Sequence, residues 1–179
     1  MTPLRRPLAL LGLLALAAAP AWPAADSVSY YHGQAAYFSL DGRIPYHKTE
    51  LALKREVLRD GALIRETVTR PGLAPGMPPE LSVLELRRRG DSLVFDASGP
   101  FTGTVAFSDK RLKEWTLDLH SQSGRDLTGS AKISSAGLKA RKFISGPGRS
   151  MSVREDLKAV SPDGYQARLR EMKPLPGTE

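Results

Sequence analysis

The sequence predicts an all-β fold, a single antiparallel meander of about ten strands that closes into a barrel or a half-barrel. Along most of the chain after Lys48 apolar residues alternate with polar ones, as Trp115, Leu117 and Leu119 do with Thr116, Asp118 and His120. Turn signals punctuate that alternation at even intervals. No stretch of useful length carries the 3.6-residue period of an amphipathic helix. Period two means that one face of each strand packs inward while the other meets water.

Residues 1–21 read as a signal peptide. Arg5 and Arg6 precede an apolar run from Leu8 to Ala19, and Ala19-Pro20-Ala21 supplies small residues for cleavage. The run falls short of the roughly 20 apolar residues that span a bilayer. What remains, 22–179, suits one β-barrel domain. The strand-turn-strand reading begins at Lys48, and before it Gln34 to Ser39 is compatible with a helical turn.

Strands are expected at 48–58, 62–70, 81–88, 92–97, 101–108, 112–120, 126–134, 138–145, 150–160 and 164–172. The breaks fall at Asp60-Gly61, Gly90-Asp91, Gly99-Pro100, Asp109-Lys110, Gly124-Arg125, Ser135-Ala136-Gly137, Gly146-Pro147-Gly148 and Asp163-Gly164. Gly and Asp tolerate positive φ, and Pro presets a bend. Inward faces are read as Val105 with Phe107, Leu127 with Ala131 and Ile133, and Tyr165 with Ala167 and Leu169. Arg89-Gly90-Asp91, an adhesion tripeptide by spelling, stands where a hairpin needs its turn.

A two-residue turn at Asp60-Gly61 fixes a register. Val57 then faces Ile64, Leu53 faces Val68, Glu56 faces Arg65 and Arg55 faces Glu66. One assumption thus yields two apolar and two opposite-charge pairs, each of which stabilises a sheet modestly. Downstream, the Pro/Gly-rich stretch at 70–80 is a loop within the barrel rather than a linker. The lone hairpin before it is too small to stand alone in water. Such a loop either covers the barrel mouth or is an inert connection stiffened by proline.

A signal peptide followed by about ten meandering strands, ending in "MSVREDLKAVSPDGYQARLREM", resembles the lipocalin-like (calycin) β-barrels, including bacterial proteins of unassigned function. The resemblance spans Tyr30 to Met172 and rests on strand rhythm. A Gly-x-Trp near the first strand, part of the true lipocalin pattern, is missing. The resemblance implies a cup-shaped cavity and an apolar ligand, without naming ligand residues.

The chain has no cysteine and no asparagine, and it carries 17 arginines against 9 lysines. That balance suits a GC-rich bacterial source, and the leader places the protein in the periplasm or outside the cell. Formal charge is +7, and loss of Arg5 and Arg6 leaves +5 on the mature chain. The basic residues are scattered among acids and apolar positions, which reads as solvated outer faces rather than a nucleic-acid stripe.

Catalytic motifs are missing. His32, His47 and His120 are the only histidines; none are at helical ligand spacing, so no metal or cofactor is expected. No Gly-x-Ser-x-Gly elbow, Ser-x-x-Lys or phosphate loop occurs. The candidate ligand-binding residues are Arg55, Glu66 and Trp115. Arg55 and Glu66 share a face with Leu51, Leu53, Val57, Ile64 and Val68, where a charge pair is costly unless satisfied. Either the pair points inward and holds the polar head of a ligand, or the strand turns its other face in and leaves an ordinary surface pair. The cost of burial favours the surface. Trp115 is a core residue by alternation alone, with a ligand platform as its second reading. The expected function is an exported, non-catalytic barrel holding a small apolar or amphiphilic ligand. The alternative is an envelope interaction protein with a filled core, binding a protein or anionic surface component through its basic exterior.

Overall fold

A computed structural model of the protein describes residues 26–72, 77–147 and 150–172. The segment 1–21, read from sequence as a signal peptide, lies outside them. Ten strands run in chain order: β1 (Ser27–Ser39), β2 (His47–Leu58), β3 (Leu63–Arg70), β4 (Glu80–Arg88), β5 (Val94–Ser98), β6 (Phe101–Phe107), β7 (Glu114–Ser121), β8 (Asp126–Ser134), β9 (Gly137–Ser145) and β10 (Met151–Val160). Each pairs antiparallel with the next, and β1 also pairs with β10. The meander is therefore a closed barrel, not a half-barrel. β3 and β4, on either side of the Pro/Gly-rich stretch, are direct neighbours.

The alternation holds where it was clear. Trp115, Leu117 and Leu119 are buried on β7, as are Val105 and Phe107 on β6. With Phe95, Leu86, Ile64 and Leu157 they form one continuous core. Many outward positions are charged, as at Asp118, Lys132, Lys139 and Asp156. That is the reverse of a bilayer-spanning barrel, whose outer band is apolar.

The first hairpin has the register the sequence implied, with Arg55 opposite Glu66 and Val57 opposite Ile64. Asp60 and Gly61 both adopt positive φ, 53° and 78°. Ala62 N–H closes the turn on the Arg59 carbonyl at 3.0 Å.

Three expectations need correction. First, residues 27–39 are a long strand, with no helical turn at Gln34. Its alternation is blurred because both faces are covered: Tyr31 and Ala35 pack in the barrel, while Tyr30 and Phe38 are covered from outside. Second, the segment expected as a strand at 164–172 is helix α1 (Pro162–Glu171). Ser161 caps it, its hydroxyl accepting from Gly164 N–H at 3.0 Å, and Pro162 starts the first turn. Tyr165, Leu169 and Met172 recur at helical spacing on the face that packs over Ala52 and Tyr30. The total of ten strands survives because one addition offsets one loss. Third, β7 starts at Glu114, two residues after the expected 112. Leu112 belongs to the β6–β7 connection, with φ 55°, and turns back into the core.

Candidate functional site

The even turns of the meander, β2–β3, β4–β5, β6–β7 and β8–β9, gather at one end of the barrel, and the odd connections gather at the other. The first end is closed. Leu112 folds across it, and beneath Leu112 lies Arg55, only 3% exposed. The surface-pair expectation for Arg55 and Glu66 is corrected: both point inward.

Burying a guanidinium costs several kcal/mol, so its surroundings must supply compensation. Arg55 Nη1 donates to the Leu112 carbonyl at 2.9 Å. Its guanidinium carbon lies 4.7 Å from the Trp115 ring centre and 5.6 Å from that of Phe107. A desolvated cation–π contact contributes about 2 kcal/mol, and a hydrogen bond from a charged group about 1.5–3 kcal/mol. Arg55 Nε stands 3.3 Å from Glu66 Oε1. The two charges attract across that gap, but the angle does not make a hydrogen bond, and Arg55 Nε, Arg55 Nη2 and Glu66 Oε1 have no other partner among the described residues. Burial lowers the Arg55 pKa, with Glu66 and Tyr31 acting in the opposite direction.

Above this floor the barrel encloses a cavity of about 110 Å³. Leucines from five strands, among them Leu53, Leu84, Leu117, Leu127 and Leu138, make most of its wall, with Trp115 on one side. Glu66, Arg70, Lys142 and Glu155 are its charged members. Lys142 Nζ donates to both Glu155 oxygens, at 2.6 and 2.8 Å. Arg55 does not line the cavity. Of the three residues singled out from sequence, Glu66 and Trp115 reach it and Arg55 supports them from below.

The cavity opens at the second end. Val68, Arg70, Ser82, Pro100 and Phe101 belong both to its wall and to a shallower recess of about 480 Å³ outside. The opening lies beside a short seam. β5 pairs with β4 only from Glu85↔Ser98 to Arg88↔Phe95, so Glu80–Leu84 extend past it. The Gly99-Pro100 turn packs there instead; at Gly99, φ is 130° and a Cβ would come within 2.5 Å of the Val83 carbonyl oxygen. The described ends of the Pro/Gly-rich loop flank this opening, and residues 73–76 lie outside the described residues. Arg70 Nε, buried at the opening, has no hydrogen-bond partner among the described residues.

Sequence reasoning missed Arg70, Lys142 and Glu155, although the signal was there. Lys142 follows Leu138 and Ala140 at even spacing, and Glu155 sits between Val153 and Leu157, the same pattern that singled out Arg55. The histidines stay apart: His47 packs on Tyr37, His32 is half-buried and His120 faces solvent. The Asp126 carboxylate, 2.7 Å from His120 Nδ1, raises the imidazole pKa above its ordinary value. No group of three or more His, Asp or Glu among the described residues is placed to hold a metal ion.

Compared with family models, curated proteins and solved structures, the chain matches none. The reading of the site therefore rests on its own geometry.

Proposed function

We propose that the protein is an exported, non-catalytic binding barrel of the lipocalin-like kind, acting in the periplasm or outside the cell on a slender amphiphile. The observation that carries this reading is the enclosed, leucine-walled cavity with the Arg70 guanidinium at its opening, its Nε without a hydrogen-bond partner among the described residues. Volume narrows the ligand. Pockets for drug-sized molecules run to about 300–1,000 Å³, whereas a cavity near 150 Å³ holds about one benzene. At about 110 Å³ this interior suits a single short acyl or alkyl chain rather than a fused ring system. The chain end points down toward Trp115, and an anionic head stays at the opening beside Arg70. Lys142 is already held by Glu155, which makes it the weaker anchor.

Trp115 supplies the assay. In a Trp22→Phe background it is the remaining tryptophan, so titration with butanoate or pentanoate, whose chains match a cavity smaller than one that holds benzene, should shift its emission and saturate. Native mass spectrometry of protein purified from its own host should show a co-purifying small amphiphile. A flat titration together with a bare mass would defeat the reading.

A further inference from the structure

Large apolar side chains stand exposed around the open end. Leu40, Ile44 and Tyr46 project from the β1–β2 connection at 60%, 83% and 47% exposure. Met77 and Leu81 project from the β3–β4 side at 52% and 65%. Because β2 and β3 are neighbours, these two connections stand side by side on the rim.

A basic row lies just below that rim on the outer wall. The register sets Arg141 opposite Arg154, Arg154 opposite Ala36, and Ala36 opposite Lys48. Like charges directly opposite one another destabilise a sheet, and none of these three cations has an ion pair among the described residues. Arg154 lies over the Phe38 ring at 4.5 Å. Phe143, 53% exposed, is the next outward residue from Arg141 toward the rim. The acids Glu50 and Asp156 come one row further down, where Asp156 meets Lys139.

We propose that this rim docks on an anionic lipid bilayer, its apolar tips entering the interface while Lys48, Arg141 and Arg154 meet the headgroups. At about 3.3 Å per residue the row sits within roughly 13 Å of the strand ends, less when strand tilt is allowed for. A surface element buried about 5–10 Å into the interface brings such a row to headgroup depth. A soluble acidic polysaccharide would use the row but give no role to projecting leucine and isoleucine. A second copy would set one basic row near another. The inference stands apart from the cavity's contents, since docking needs no ligand inside.

The test is co-sedimentation with vesicles of phosphatidylcholine alone or mixed with phosphatidylglycerol. The parent protein is compared with Ile44→Ser/Leu81→Ser and with Lys48→Gln/Arg141→Gln/Arg154→Gln. All three share one N-terminus, so differences report the rim, and a thermal melt checks that each is folded. Binding to the mixed vesicles should fall with salt, and each variant should lose about tenfold or more. Equal binding by parent and both variants would overturn the proposal. So would heparin binding, or dimerisation, in a protein that leaves the mixed vesicles untouched. Native mass spectrometry reads the cavity separately, so failure of docking and failure of ligand binding are distinguishable.

Discussion

Arg55 and Glu66 show how a charge persists in a leucine-rich interior. The Leu112 carbonyl, two aromatic faces and the Glu66 carboxylate together replace part of the water that the guanidinium gave up. Removing either partner leaves the other buried and uncompensated. Arg55→Met and Glu66→Gln should therefore each destabilise by about 3–5 kcal/mol, with the double variant recovering much of the loss. Arg65, paired with Glu85 on the outer face and half-buried, is the control, and Arg65→Met should cost clearly less than either single change. Urea melts measure all four. Losses as small at Arg55 as at Arg65 would mean that the pair is solvated. The pair was legible in sequence through the parity of β2 and β3, and its inward direction was not. Parity says which residues share a face; it does not say which face is inside. Arg55 shares the core with Leu51, Leu53 and Ile64 of its own face, and it is covered by Leu112, whose inward turn no local pattern announced.

At the scale of the element, β1 and α1 were the illegible pieces, and they fail for one shared reason. Each covers the other. α1 packs its Tyr165 against Tyr30 of β1 at 5.0 Å between ring centres, so a strand that should alternate is apolar on both sides there. Within α1 itself, Tyr165, Ala167 and Leu169 mimic a strand over a stretch too short to separate period two from 3.6. The decisive signal was Ser161-Pro162, a cap followed by a first-turn proline. Burial of Tyr165 also pushes its phenol pKa up. Removing that ring by Tyr165→Ala should cost about 3 kcal/mol. Removing the cap by Ser161→Ala should cost about 1 kcal/mol. Chemical denaturation separates these sizes, and indifference to Tyr165→Ala would mean that α1 does not hold the β1–β2 wall. The interior strands β6 to β9 were read well because each has one wet face and one dry one.

Across the whole molecule, closure of β1 on β10 turns ten ordinary strands into a vessel with one sealed and one open end. The sequence left closure open between a barrel and a half-barrel, and a cavity was only what the resemblance implied, because both depend on strand tilt and on side-chain volumes summed over every strand. The resulting division of labour between two arginines, Arg55 buried and Arg70 half-buried, can be tested. Arg55, under the floor, serves stability, while Arg70, at the opening, serves the ligand. Arg70→Gln should weaken binding of an anionic short-chain amphiphile about 10- to 100-fold, the range set by one hydrogen bond to a charged group. It should leave affinity for the uncharged alcohol of the same chain length nearly unchanged. Arg65→Gln should change neither. Isothermal titration with the carboxylate and the alcohol, on the parent and on both variants with melts that match it, gives the six affinities required. If Arg70→Gln weakens both ligands equally, the side chain shapes the opening instead of reading charge, and the anionic head belongs elsewhere in the barrel.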